Sequence, residues 1–153
     1  LDAIQLLGGN GYIEESPLAR RYREQPVMAI WEGSGNVIAL DVLRALVHEP
    51  ESAVAFEAEV SLAAGENPLL DGHLESTMRL LGEVAGADAA VAATHARRLV
   101  EMLALALQAS LLVRTAPSAI SNAFIGARLG EGRGHLFGVL PVGTDLAAIL
   151  ERH

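Results

Sequence analysis

Three short stretches of this 153-residue chain hold the residues whose types and spacing could do chemistry. The first is Gln5-Leu6-Leu7-Gly8-Gly9-Asn10-Gly11-Tyr12. Glycines that follow a helix permit positive φ and let backbone N–H groups approach a ligand, which suits phosphates and nucleotides. The same spacing also reads as a glycine C-cap followed by a loop. The second runs from Ser16 to Glu24 and carries Arg20, Arg21 and Arg23. It reads as a solvated basic face or as an ion-pair set with Glu14, Glu15 and Glu24. The third is Ile30-Trp31-Glu32-Gly33-Ser34-Gly35-Asn36. A carboxylate beside an indole, followed by a glycine that lets a substrate come close, suits a general base. An apolar wall raises a carboxylate's pKa toward the working pH. The plainer reading of Glu32 is a solvated surface charge.

The elements that must position these residues follow from caps and periodicity. Leu1 to Leu7 reads as helix. Ser16-Pro17 is an N-cap with proline at the first helical position, opening a short helix to about Arg23. Pro26 starts another short piece through Trp31. After the turn Gly33-Ser34-Gly35, apolar residues at three- and four-residue steps give a helix from about Asn36 to Val47. Pro50 begins a helix ending before Gly65. Asn67-Pro68 begins one to about Ala85, and Asp88 caps the longest, from Ala89 to about Thr115. Pro117-Ser118 opens one more, to Leu129. Gly130, Gly132, Gly134 and Gly138 mark an irregular loop with Phe137 as a plug. Thr144 caps a last helix to the C-terminus.

Composition agrees with helix and excludes several classes. The chain is 51% hydrophobic but only 4% aromatic. Its apolar residues are mostly Ala, Leu and Val, and Ala and Leu lose little side-chain freedom in helices. The long helix is apolar on more than one stripe (Val91, Leu99, Met102, Leu103, Ala106, Leu107, Ala109, Leu112, Val113), as at the centre of a bundle. The expected fold is therefore all-α, an antiparallel helical bundle with extra C-terminal helices. A core of this size excludes intrinsic disorder. With no cysteine, disulfide staples and thiolate metal sites are excluded. No apolar run reaches the roughly 20 residues of a membrane span. The opening residues lack a basic, then apolar, secretory leader. A cytoplasmic location is the expectation. A start at Leu1, in mid-helix, suggests a piece of something longer.

The net charge is −8, with arginine as the sole strong base. An acidic chain starts with the argument against nucleic-acid binding, which draws its affinity from Lys and Arg on phosphates. Texture divides the sequence at about residue 46: Gly- and Pro-punctuated before it, long helices after it.

Taken together, the three stretches resemble the C-terminal part of the acyl-CoA dehydrogenase flavoproteins. The family pattern is Gln-x-x-Gly-Gly-x-Gly-Tyr/Phe, then a proline and an Arg-rich helix, then Tyr/Trp-Glu-Gly-Thr. Here these are Gln5 to Tyr12, Pro17 with Arg20, Arg21 and Arg23-Glu24, and Trp31-Glu32-Gly33-Ser34. Ser34 stands for the usual Thr and keeps the hydroxyl; Glu24 stands for the usual Asp. Trp31 to Asn36 followed by Leu40-Asp41-Val42-Leu43-Arg44 looks most like the adaptive-response (AidB-like) subgroup.

The resemblance implies that an acyl-CoA thioester is the substrate and FAD the cofactor, with an electron acceptor downstream. It places Glu32 as the base that removes the α-proton. Trp31 and Gly33 would meet the substrate. Gln5, Leu6, Leu7, Gly8 and Gly9 would meet the FAD of a neighbouring subunit, and Ser34, Gly35 and Asn36 the FAD on their own side. Residues 1–46 would end the C-terminal helical domain, and residues 47–153 would form a helical tail. By itself this piece is expected to be inactive and to bind FAD weakly or not at all. A homo-oligomer, dimer or tetramer, is implied.

Two other functions stay open. The subgroup is associated with DNA, and Arg44, Arg97, Arg98, Arg114 and Arg128 could form a patch, against the charge balance. The tail could also serve only assembly. His48, His73, His95, His135 and His153 show no metal-ligand spacing, so no metal is expected. His95 reads as a partly buried polar residue, and Met28, Met78 and Met102 as core filler. Ser110 and Thr115 have no base partner in sequence.

Overall fold

The computed structural model describes residues 1–151, and among them it contains helices and no strand. The chain divides into two units, Leu1–Ala39 and the remainder from Leu40 onward.

In the first unit, α1 (Asp2–Leu7) is followed by one helical turn, α2 (Gly9–Tyr12), and by α3 (Pro17–Met28). The expected glycine-rich loop is thus mostly helical. Gly8 alone among its glycines takes a left-handed φ, 57°, and separates the two helices. Gly11 is buried because a Cβ there would stand 3.0 Å from both the Cα and the carbonyl oxygen of Ile4. Ser16 caps α3 as expected, its hydroxyl accepting from Leu18 N–H at 3.3 Å. The break expected at Pro26 is absent: α3 continues through it to Met28. A proline two residues before a helix end gives up one backbone bond and leaves the preceding turns intact. Met28 is 71% exposed and is no core filler.

The helix α4 (Gly35–His48) begins in the first unit and ends in the second. The second unit continues with α5 (Glu51–Ser61), α6 (Pro68–Ala85), α7 (Ala89–Thr115), α8 (Ser118–Leu129) and α9 (Leu146–Leu150). α7 packs against α5, α6 and α8. Short connections to α6 and α8 make these neighbours antiparallel, as in a bundle. Asn67 and Asp88 cap as the sequence predicts. Asn67 Oδ1 accepts from Leu69 and Leu70 N–H, and Asp88 Oδ1 from Ala90 and Val91 N–H. Thr144 does not cap the last helix. Its hydroxyl donates to the Pro141 carbonyl, and Asp145 caps by accepting from Ala148 N–H. The last two residues, His153 among them, lie outside the described part.

Two clusters form the core of this unit. Ala63, Leu70, Ala109 and Ile125 pack with Leu74, Val113, Phe124 and Leu129. Leu80, Val84 and Leu99 pack with Leu43, Leu46, Leu81, Met102 and Leu103. Both draw on α7, whose Leu99, Ala106 and Ala109 are fully buried. In its first turn Ala92 packs on the second cluster, but Val91 is exposed. Phe137 is no plug either, at 71% exposure. The loop is held instead by Arg128, whose guanidinium donates to the Gly134 carbonyl. It is also held by Gly134 N–H donating to the Ala127 carbonyl at 3.2 Å.

Candidate functional site

The site is built around the corner between α3 and α4. Helix α3 closes with Trp31 N–H donating to the Val27 carbonyl at 2.8 Å and Gly33 N–H to the Ile30 carbonyl at 3.2 Å. The next two residues turn the chain through left-handed backbone. Glu32 has φ 60° and Gly33 φ 116°. Glycine takes such angles freely, but Glu32 does so against the steric cost of its Cβ. It is the single non-glycine residue with positive φ among the described residues. Strain of this kind collects at functional sites, where a carboxylate must be held at a fixed place.

The Glu32 carboxylate is exposed. The neighbouring indole meets it through a hydrogen bond, Trp31 Nε1–H to Oε1 at 3.2 Å. The expected apolar wall is therefore absent within this unit: the ring offers its N–H edge to the carboxylate and is itself 61% exposed. Directly after the corner, the Ser34 carbonyl accepts the first bond of α4, from Ile38 N–H at 3.0 Å. Ser34 and Asn36 are exposed, and Gly35 is half-buried. The carboxylate and the N-terminus of a 14-residue helix thus stand within four residues of each other. A helix N-terminus suits an anionic group such as a phosphate.

Gln5, Leu6, Leu7, Gly8 and Gly9 form a second accessible stretch at the end of α1, all exposed. A Cβ at Gly8 or Gly9 would meet nothing within 4 Å, so the surface beside them is open. Among the described residues no hydrogen bond or ion pair joins this stretch to Trp31–Asn36.

The arginine-rich segment between them resolves into ion pairs. Arg23 holds Glu14 bidentately, Nη1 to Oε1 at 2.8 Å and Nη2 to Oε2 at 3.0 Å. That hydrogen bonding and the guanidinium charge hold the Glu14 carboxyl below its ordinary range. Arg20 pairs with Glu24 at 3.1 Å. The Glu14 contact ties the α2–α3 connection onto α3, and the Arg20–Glu24 pair lies within α3.

In the second unit, two members of the proposed arginine patch are paired: Arg44 with Asp41 and Arg114 with Glu59, each at 2.7 Å. Arg98 and Arg128 line a cavity with Arg133, His73 and His135. Sequence reading missed this grouping. The clue lay in Arg133-Gly134-His135 inside the glycine loop, five to seven residues beyond Arg128. Among the described residues, no group of three or more His, Asp or Glu is placed to hold a metal ion. No described helix is long and apolar enough to cross a membrane. Ser110 donates its hydroxyl to the Val60 carbonyl and Thr115 to the Leu111 carbonyl, so both act within the fold.

Residues 1–47 match the family model of the acyl-CoA dehydrogenase C-terminal domain. Over 45 residues, 29% of its length, the chain is 64% identical to the putative acyl-CoA dehydrogenase AidB of Escherichia coli (strain K12), covering 8% of that protein. Over 76 residues, 50% of its length, it is 34% identical to acyl-CoA dehydrogenase family member 11 of Caenorhabditis elegans, covering 12% of that protein. The chain thus spans about a tenth of the curated relatives it matches. No solved structure matches. The resemblance carried by the three motifs is thereby shown, over the segment that contains all three.

Proposed function

We propose that the chain is the C-terminal part of an FAD-dependent acyl-CoA dehydrogenase, with Glu32 as the base that removes the α-proton of the thioester. The observation that carries this reading is the Glu32–Gly33 corner. A carboxylate is held in left-handed backbone, next to a glycine and a helix N-terminus, inside the segment that matches the family. In this proposal residues 1–46 end the catalytic helical domain and residues 47–153 are its helical tail. The cytoplasm is the proposed place of action.

The chain's own residues fit the edge of a flavin dinucleotide. Ser34, Gly35 and Asn36 present a hydroxyl, an amide and the first N–H groups of α4, the donors that a phosphate or ribityl chain takes. The open backbone at Gly8 and Gly9 admits a second flat or anionic group, as contact with a neighbouring subunit's cofactor requires. When bound, FAD supplies the acceptor for the β-hydride. Glu32 takes the α-proton: the C–H electron pair becomes the α,β double bond as hydride leaves the β-carbon. Gly33 leaves room for the thioester beside that carboxylate, and the exposed Trp31 ring flanks the approach. A covering surface from the remainder of the enzyme would exclude water from Glu32 and the thioester. For that reason this chain alone is proposed to be inactive and to hold FAD weakly.

The test uses the complete flavoprotein. Acyl-CoA addition bleaches the flavin absorbance, and Glu32→Gln abolishes the bleaching while acyl-CoA still binds. Unchanged bleaching in Glu32→Gln removes Glu32 from the role of base.

A second reading concerns assembly. Leu6, Met28, Ile30 and Trp31 are between 61% and 88% exposed in the first unit. Large apolar side chains left this exposed favour an interaction face. It supports a homo-oligomer in which these side chains are covered. A parent protein that sediments as a monomer contradicts it.

A further inference from the structure

The second unit holds a basic cavity that the dehydrogenase chemistry does not use. Its volume is about 530 Å³, and α6, α7, α8 and the glycine loop enclose it. Arg98, Arg128 and Arg133 line it with His73, His135 and a single carboxylate, Glu101. We propose that this cavity binds a small ligand carrying a pyrophosphate or closely spaced phosphates.

The charge arrangement carries the argument. The chain as a whole is at −8. Elsewhere four of its arginines have carboxylate partners: Arg20 has Glu24, Arg23 has Glu14, Arg44 has Asp41 and Arg114 has Glu59. Among the described residues no carboxylate pairs with Arg98, Arg128 or Arg133. Three guanidinium groups converging on one cavity repel each other unless an anion joins them. The one acid in the lining, Glu101, faces His135, with Oε1 3.2 Å from Nε2.

The lining is also ordered for recognition. Arg128 is half-buried and fixed by its bond to the Gly134 carbonyl, which leaves its other N–H groups to donate. His73 is oriented by its Nε2, which donates to the Met102 carbonyl at 3.0 Å. A carbonyl can only accept, so Nδ1 is the ring's remaining polar atom. Planar guanidinium forks match phosphate oxygens bidentately. The volume lies within the roughly 300–1,000 Å³ of small-molecule sites. None of this depends on the reading of Glu32.

The test is calorimetric titration of the full chain with inorganic pyrophosphate and with ADP at low ionic strength. We expect one saturable site per chain. Tighter binding of ADP identifies a nucleotide, and equal binding the phosphates alone; both support the site. Arg98→Gln and Arg133→Gln change exposed side chains without carboxylate partners, so the fold, monitored by circular dichroism, stays intact. Each weakens pyrophosphate at least about tenfold. Arg97→Gln, which lies outside the lining, leaves it unchanged. Absence of saturable binding, binding unaffected in the Arg98→Gln/Arg133→Gln double variant, or citrate bound more tightly than pyrophosphate overturns the proposal. Duplex DNA held through these arginines while pyrophosphate is not also overturns it.

Discussion

Trp31 donates its indole N–H to the carboxylate of its own neighbour, Glu32, and Glu32 accepts it from left-handed backbone at φ 60°. Left-handed backbone costs a non-glycine residue about 1–2 kcal/mol. Glycine would remove that cost but adds about 0.5–1 kcal/mol of unfolded-state entropy to overcome. Glu32→Gly is therefore expected to leave stability unchanged or raise it by up to about 1 kcal/mol. Urea unfolding checks this. A clear loss of stability would show that the Trp31 contact outweighs the strain. A more stable variant without flavin reduction would mark Glu32 as a position kept for chemistry.

Gly11 and Gly9 make a matched pair. A Cβ on Gly11 would press on the backbone of Ile4 at 3.0 Å, which cannot yield as a side-chain tip can. Gly11→Ala is expected to cost about 1–3 kcal/mol and to loosen α1 from α2. Gly9→Ala meets nothing and stays within about 0.5 kcal/mol. Amide hydrogen exchange of α1 separates the two variants.

Leu99 and Ser110 test the centre of the bundle. Both side chains are fully buried on α7. Leu99→Ala removes the middle of a cluster and costs about 2–5 kcal/mol. Ser110→Ala costs about 1 kcal/mol, because the Val60 carbonyl keeps its bond from Ala63 N–H. Met28→Ala, on an exposed side chain, stays within about 0.5 kcal/mol. Thermal unfolding of the three variants gives the order directly.

The Glu14–Arg23 pair sets a pH dependence. Arg23 lowers the Glu14 carboxyl, first by its hydrogen bonds and then by its charge. A lowered folded-state value means stability present above the unfolded carboxylate pKa and lost as pH falls through the folded one. The pair is exposed, so the effect is small and screened by salt. In Arg23→Gln the Glu14 carboxyl returns upward toward its ordinary range, which carboxyl-carbon NMR titration reads. A carboxyl that does not move shows that the pair does not form in solution.

Much of the helical frame was legible in the residues. Asn67, Asp88 and Ser16 fix helix starts because each side chain accepts from N–H groups of its own first turn, a local interaction. The three motifs of residues 5–36 carried the family likeness in the same way. Other expectations failed where a residue's role depends on distant neighbours. Phe137 and Met28 look like core residues by type but find no apolar surface to cover them. Pro26 looks like a break, yet a proline near a helix end leaves the preceding turns whole. Thr144 and Asp145 both can cap; the Pro141 carbonyl takes the threonine hydroxyl and leaves the cap to aspartate.

By itself the sequence determined the all-α class, the caps at Ser16, Asn67 and Asp88, the central place of α7 and the family likeness of the Glu32 segment. Each follows from chemistry within a few residues, or from one helix's own apolar face. Only the tertiary structure decided which charges are spent and which remain. Arg114 finds Glu59 on another helix, while Arg98, Arg128 and Arg133, 35 residues apart in sequence at most, gather around one cavity. Pairing and convergence of that kind depend on how helices pack, and packing sums many weak long-range contacts that no local spacing records.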